Sequence, residues 1–200
     1  MAIYVSEQSA PATPSSGNVV IYAKTDGNVY EKDDTGTETQ LFNSNPLTLD
    51  TAQTTTSGSA FDYSGLRSGL KRIDVIFAEV SLSGTDHVLV QIGDSGGLET
   101  TSYISTSNAI DQSGGSSGTN STSGFVVSTG ASAASVLSGV LTLTHIGSNQ
   151  WIAHGVFKIS TTGVIVAAGS HTLTGTLDRL RITRTGTDSF DAGSVNILYE

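Results

Sequence analysis

Apolar and polar residues alternate in short runs from about residue 60 to the C-terminus, a pattern that predicts β-strands. Val88, Val90 and Ile92 form the clearest period-two face, whereas Leu70–Leu82 has apolar residues at both parities, which predicts a central strand. The other predicted strands are Leu98–Thr106, Phe125–Ser128, Val136–Ile146, Trp151–Ser160, Val164–Ala168, Thr172–Thr185 and Ser194–Tyr199. Short turns and no crossover helices predict an all-β chain folded as an antiparallel β-sandwich, with the jelly roll as the leading topology.

The N-terminal part of the chain has three shorter β-runs, Val19–Lys24, Asn28–Lys32 and Glu38–Phe42. Asp26-Gly27 predicts a two-residue type I′ turn between the first two, and Asp33–Gly36 predicts a second turn. This small meander has too few apolar residues to bury a core, and sheets of this size need a partner surface. We therefore expect it to dock.

The flanking segments predict how the chain is divided. Residues 1–16 contain Pro11 and Pro14, which restrict the residues before them and favour an extended arm. Asn43–Ser59 is polar and rich in threonine, which is typical of a linker. We expect an arm and docking module over residues 1–48, and a jelly-roll knob over residues 49–200.

The meander also carries an ordered set of short motifs. Pro14 and Gly17 precede the motifs Tyr22-Ala23-Lys24, Asp26-Gly27, Tyr30-Glu31-Lys32 and Gly36-Thr37-Glu38. This order of a Pro-Gly entry, two Tyr-x-Lys strands around an Asp-Gly turn and a Gly-Thr-Glu ending resembles an N-terminal module of tailed-bacteriophage virion proteins. The resemblance implies a role in docking to the particle. The candidate docking residues are Tyr22, Lys24, Asp26, Gly27, Tyr30 and Lys32.

Later segments resemble the jelly-roll domains of phage appendage proteins. They are Ser81–Asp86, Gln91–Gly97, Leu177–Thr183 and Phe190–Glu200. The resemblance implies a homotrimeric knob. Arg179 and Arg181 share one strand face, where they would either pair with acids of a neighbouring subunit or lie on a solvated surface; we keep both alternatives.

Charge limits the possible partners. The net charge is −9, with two basic and six acidic residues in residues 1–48 and seven basic and twelve acidic residues in residues 49–200. Nucleic acids and anionic membranes attract clustered lysine and arginine, which this chain lacks, so we expect neither as a partner. There is no cysteine, and MAIYVSEQ lacks the basic flank and apolar run of a signal peptide. These features suit a virion protein made in the host cytoplasm.

Several patterns suggest chemistry but fit structural roles better. Gly114–Gly118 matches G-x-S-x-G, yet it lies in Ser107–Ser123, which we predict to be a long mobile loop without the strand and helix of a nucleophile elbow. Asp33–Glu38 has acidic residues as in a calcium loop, but it lacks the EF-hand spacing and is better interpreted as a turn. The histidines, which are not spaced as metal ligands, are His87, His145, His154 and His171. We therefore expect no metal and no cofactor.

Catalysis and sugar binding are the remaining possibilities. A glycosidase needs two carboxylates across a cleft, and the sequence leaves such a pair open among Asp62, Asp74, Glu79, Asp86, Asp94 and Glu99. We nevertheless expect no enzyme activity, because charged residues make up only 14% of the chain. A sugar platform would use aromatic residues, of which the candidates are Tyr63, Tyr103, Trp151 and Tyr199. The parity of Trp151 favours the core.

The expected function is a capsid decoration or cement protein of a phage, bound to the major capsid protein or to another virion protein. The alternatives are a tail-associated receptor-binding protein and a carbohydrate-binding module, each with a possible host-surface glycan as partner. The chain has neither coiled-coil heptads nor repeated β-segments that would form a shaft. An arm and meander of about 40 residues reach only a few nanometres at about 3.3 Å per extended residue, which favours close attachment.

Overall fold

The computed structural model describes residues 5–41, 47–128, 132–160 and 163–200. Within these ranges every regular element is a β-strand, so the predicted all-β class is confirmed. No helix in them is long and apolar enough to cross a membrane. The chain divides into two compact units, Met1–Pro46 and Leu47–Glu200.

The first unit contains a four-stranded sheet with the order β1-β2-β3-β4. Its strands are β1 (Glu7–Gln8), β2 (Val20–Lys24), β3 (Val29–Lys32) and β4 (Glu38–Gln40). Strands β2, β3 and β4 form the predicted antiparallel meander, and β1 pairs with β2 in parallel. Part of the expected extended arm is therefore a strand of the sheet.

The turn at Asp26-Gly27 differs from the predicted two-residue type I′ turn. The Gly27 amide donates to the Lys24 carbonyl at 3.0 Å, and the Lys24 amide donates to the Asn28 carbonyl at 2.9 Å. Of Asp26 and Gly27, only Gly27 has a positive φ, at 83°. A type I′ turn needs positive φ at both central residues, so this hairpin uses a type I turn followed by a glycine bulge, and the prediction was wrong.

The second unit contains two larger sheets. Its strands are β5 (Thr48–Leu49), β6 (Gln53–Thr54), β7 (Phe61–Ser64), β8 (Arg72–Leu82), β9 (Val88–Asp94), β10 (Gly97–Leu98), β11 (Ile104–Asp111), β12 (Ser116–Ser121), β13 (Phe125–Val126), β14 (Leu137–Gly147), β15 (Gln150–Ile159), β16 (Gly163–Thr172), β17 (Arg179–Arg184) and β18 (Phe190–Tyr199). The small sheet has the order β10-β9-β17-β7, with β13 also on β9. The large sheet has the order β12-β11-β16-β15-β14-β8-β18-β5, with β6 also on β18. All of these pairs are antiparallel.

One hydrophobic core joins the two sheets. Val75, Phe157 and Ile197 of the large sheet belong to the same buried cluster as Ile92 and Leu180 of the small sheet. Two sheets that share their inner faces form a β-sandwich, as the alternating pattern predicted. The jelly-roll connection of the strands remains a prediction.

A β-bulge explains why Leu70–Leu82 has apolar residues at both parities. Leu137 of β14 pairs with Val80 of β8, whereas Gly139 pairs with Phe77, so β8 contains one extra residue. Glu79 lies in this bulge with φ of 56°. The extra residue reverses the parity, and Phe77 and Val80 are both buried in the core. β8 lies between β14 and β18, which confirms the predicted central position.

Two predicted irregular segments contain strands. Ser107–Ser123, the expected mobile loop, contributes to β11 and includes β12, which pair over six residues. Asn43–Ser59, the expected linker, contributes β5 and β6, which both pair with β18. Both predictions failed because these strands lie at sheet edges, where serine, threonine and glycine replace the hydrophobic alternation that marks an inner strand.

Candidate functional site

The predicted docking residues form one network within the first unit. The Lys24 ammonium lies 2.8 Å from a Glu38 carboxylate oxygen and 4.8 Å from the centre of the Tyr30 ring. The Tyr30 hydroxyl donates to the Asp26 carboxylate at 2.9 Å. The hydrogen bond from Lys24 lowers the pKa of Glu38 and overcomes the opposing effect of burial. These side chains therefore hold β2, β3 and β4 together.

The other three docking candidates, Lys32, Tyr22 and Gly27, also have structural roles within this unit. The Lys32 ammonium donates to the Pro11 carbonyl at 2.9 Å and lies 3.8 Å from Glu38. Tyr22 is fully buried, with its ring centre 6.1 Å from that of Tyr30. Gly27 supplies the positive φ of the turn. The structure thus brings the motif residues together, and it gives each of them a structural role in the meander.

The other side of the meander carries three partly exposed apolar side chains, together with Glu31, which pairs with Ile21. Val19 is 57% exposed, Ile21 is 60% exposed and Leu41 is 36% exposed. Val19 and Ile21 alternate along the chain with Tyr22 and Lys24, so they lie on the side opposite the network. The Leu41 amide donates to the Val29 carbonyl, which places Leu41 on the same side as Ile21. We call Val19, Ile21 and Leu41 the meander apolar face. The sequence motifs do not mark this surface. The alternation of Val19 and Ile21 with Val20 and Tyr22 nevertheless indicates that Val19 and Ile21 share one side of the strand.

Arg179 and Arg181 both form ion pairs within their own chain. The Arg181 guanidinium binds both carboxylate oxygens of Asp62, at 2.6 and 2.7 Å, across the β17–β7 pair. Arg179 bonds to the adjacent Asp178 at 2.7 and 3.2 Å. These hydrogen bonds raise the pKa of both arginines. A contact of either arginine with another subunit remains a prediction.

A polar cluster around the buried His171 lies at one end of the sandwich. His171 Nε2 lies 2.8 Å from Oε2 of Glu99, and the Tyr103 ring stacks on the His171 ring with centres 3.8 Å apart. The other Glu99 oxygen accepts from the Thr174 amide at 2.7 Å and from its hydroxyl at 2.9 Å. Burial raises the pKa of Glu99, but the hydrogen bonds from Thr174 and His171 outweigh it and lower that pKa overall. Sequence reasoning missed this cluster because Glu99 and His171 are far apart in the chain.

The candidate catalytic carboxylates are each bonded to a neighbour. Asp62 binds Arg181 and Glu99 binds the cluster just described, whereas Asp74 lies 3.0 Å from Arg72. Asp94 accepts a hydrogen bond from the Thr174 hydroxyl, Asp86 accepts one from the Asp188 amide, and Glu79 forms an ion pair with Lys158. These contacts explain the carboxylate positions without a substrate. The G-x-S-x-G match, Gly114–Gly118, lies at the turn between β11 and β12 and at the start of β12.

Residue types suited to metals or sugars are dispersed. Among the described residues, no group of three or more His, Cys, Asp or Glu side chains is placed to hold a metal ion. Asp33 accepts from the amides of Thr35 and Thr37, which is the geometry of the predicted turn. Trp151 is buried, as its parity predicted, and the described part of the chain presents no aromatic side chain in an exposed position.

Comparisons with protein-family models, with curated proteins and with solved structures find no match to this chain. Among the described residues of the first unit, the exposed large apolar side chains are those of the meander apolar face and Val5. The meander apolar face is the candidate docking surface, because its members lie on one side of the sheet.

Proposed function

We propose that this chain is a non-enzymatic structural protein of a bacteriophage virion, of the capsid decoration or cement type. In this proposal the first unit binds the particle, and its partner is the major capsid protein or another virion protein. The observation that carries the proposal is the meander apolar face. The resemblance of the Tyr-x-Lys motifs to phage virion modules supports the choice of particle.

The exposed apolar side chains of the first unit determine how strongly a single copy would dock. Its buried hydrophobic residues in the described ranges are Tyr22 and Ala23, while Val19, Ile21 and Leu41 remain uncovered. Full burial of such an aliphatic side chain is worth about 1.5–3 kcal/mol, so burial of these partly exposed ones is worth about 1 kcal/mol each. A single meander would therefore bind weakly, since a micromolar complex needs about 8 kcal/mol. Copies that are joined in one oligomer would gain by avidity, because each further contact is then intramolecular.

In this proposal the two sides of the first unit's sheet have different roles. The network side, with Lys24, Tyr30 and Glu38, maintains the fold of the unit through bonds within it. The apolar side meets the particle. The motif residues would then be required for the shape of the module, and Ile21 would make the contact.

The test compares two variants with the same added charge. In Ile21→Glu, a carboxylate at a 60% exposed position would have to be buried on docking. We expect purified particles to retain at least about 10-fold less of this variant than of the wild type, measured by quantitative mass spectrometry. Thr25→Glu, an exposed turn residue of the same unit, is the matched control and should be retained like the wild type.

Equal retention of Ile21→Glu and the wild type would contradict the proposed docking surface. Particles can be purified after lysis of host cells that carry the gene. If these particles lack the wild-type chain, the virion assignment itself is contradicted. The tail-associated alternative predicts the same retention results, so localisation on the particle must distinguish it. For the carbohydrate-binding alternative, Tyr63, Tyr103 and Trp151 are buried, and Tyr199 is the one candidate platform residue that is partly exposed.

A further inference from the structure

The large sheet has a second uncovered apolar surface on the side that faces away from the core. Its members are aliphatic residues between 37% and 75% exposed, on four adjacent strands. They are Ile104, Val140, Ile152, Val156, Val164 and Val166, which we call the outer patch. Their strand neighbours, such as Leu141, Phe157 and Ile165, point into the core. The outer patch is therefore the solvent side of a sheet whose other side is fully packed.

Strand register arranges the outer patch in rows, and the row of Thr142, His154, Ala168 and Thr106 lies between the two described next. Val140 pairs with Val156, and Val156 pairs with Val166, so three valines form one row across β14, β15 and β16. In a parallel row, Ile152 pairs with Ser170, which pairs with Ile104. Directly paired side chains have Cβ atoms about 5 Å apart, so neighbours within each row touch. Monomeric proteins rarely expose a large apolar surface of this kind.

The size of this sheet face matches what a stable complex requires. The four adjacent strands that carry the outer patch, β11, β16, β15 and β14, each have between eight and eleven residues. With about 4.8 Å between strands and about 3.3 Å per residue, their face measures about 19 by 32 Å, or about 600 Å². Specific protein interfaces bury from about 1,200 Å² in total, or about 600 Å² on each partner, so one such face is sufficient for one interface.

Charge indicates which partner fits. On the four strands that carry the outer patch, Asp111 at the end of β11 is the only acid and Lys158 is the only lysine or arginine, although the whole chain has a net charge of −9. The next strand, β8, carries the Arg72–Asp74 ion pair on the same side, because Asp74 pairs with Thr142. Two copies of so acidic a chain meet best through surfaces that are poor in acid. A nucleic acid or an acidic protein would instead need a basic surface, and a sugar would need exposed aromatic residues. A second copy of this chain meets all of these conditions.

We propose that the outer patch is the interface between copies of this chain, packed sheet face against sheet face. Sheets stack about 10 Å apart, and β-branched valine and isoleucine suit such packing because they lose little side-chain freedom. The inference does not depend on the proposed virion function. It also assigns subunit contact to the large sheet, whereas the sequence suggested Arg179 and Arg181 of the small sheet.

The test is the mass of the full chain in solution, measured by light scattering after size exclusion. We expect the wild type to run as an oligomer and Val156→Glu to run as a monomer, with a dissociation constant raised by at least about 100-fold. Val156 is 63% exposed, and the control Val5→Glu adds the same charge at a 56% exposed valine of the other unit that belongs to neither apolar surface. The control should remain oligomeric.

Each possible result decides the matter. A monomeric wild type, or a Val156→Glu protein that remains oligomeric, overturns the proposal; in the first case the patch would bind a different protein. Circular dichroism checks that the variant folds. If it does not, Val156→Cys in this cysteine-free chain provides a second test, because a short bismaleimide should link two copies through it. A folded Val156→Cys protein that gives no linked product also overturns the proposal.

Discussion

Glu99 illustrates how single side chains hold this fold together. Its carboxylate follows β10 and contacts His171 at the end of β16 and Thr174 in the connection to β17, so it joins segments of both sheets. Tyr103 covers the same histidine and bonds to the backbone of Ile92 at 2.8 Å. Buried polar groups of this kind stabilise a fold only while all partners are in place.

Replacing Glu99 with glutamine should lower the free energy of unfolding at pH 7 by about 1.5–3 kcal/mol, because charged hydrogen bonds are lost. The pKa of Glu99 is lowered in the folded state. The stability that its ionised carboxylate contributes is therefore complete above the ordinary pKa of glutamate, and it is lost as the pH falls through the lower pKa of the folded protein. Urea unfolding should therefore show a steeper loss of stability below pH 5 in the wild type than in Glu99→Gln.

Glu79→Gln is the control for that experiment. The Glu79 side chain is 67% exposed and lies 3.8 Å from Lys158, and such surface pairs contribute little. Its replacement should change the unfolding free energy by less than about 0.5 kcal/mol at either pH. Equal effects of the two substitutions would contradict the role assigned to Glu99.

At the scale of elements, one turn design recurs in three hairpins. The turns at Lys24–Gly27, Asp33–Gly36 and Asp111–Gly114 each have an amide-to-carbonyl bond across the turn and a glycine with φ between 83° and 87°. Asp111 Oδ1 accepts from the amides of Ser113 and Gly115, as Asp33 Oδ1 does from Thr35 and Thr37. The Asp-x-Ser/Thr-Gly pattern that Asp33–Gly36 and Asp111–Gly114 share could have identified the β11–β12 hairpin.

Hydrogen exchange tests the β11–β12 hairpin directly. Amides of Ser116–Ser121 that bond to β11 should exchange more slowly than free amides, because they belong to a paired strand. Gly114→Val should accelerate their exchange, since valine strongly disfavours the positive φ of 85° at this position. β16 should remain protected in this variant. Exchange of β12 at free-peptide rates in the wild type would instead support the mobile loop that the sequence suggested.

Sequence patterning predicts the inner strands of this fold better than its edges. Strands such as β15 and β17 alternate because one side packs in the core, and that alternation is visible in the sequence. β12 reads Ser-Ser-Gly-Thr-Asn-Ser because an edge strand can be exposed on both sides. For the candidate surfaces, the motifs located the meander but not its contact side, which depends on the residues that the fold leaves uncovered.

At the scale of the whole molecule, the two units present two uncovered apolar surfaces. The meander apolar face lies in the first unit, and the outer patch lies in the second. We assign the first to the particle and the second to further copies of the chain. The two assignments are independent, because Ile21→Glu should remove particle binding from an intact oligomer and Val156→Glu should remove oligomer formation.

Electron cryomicroscopy of intact particles is the most direct test of the central claim, that this is a decoration protein of a phage capsid. Particles that carry the wild-type chain should show its density at the three-fold or quasi-three-fold positions of the capsid, with the meander in contact with the shell. That density should be missing from particles made with Ile21→Glu. Density for the chain at the tail, or none on the particle, would contradict the claim.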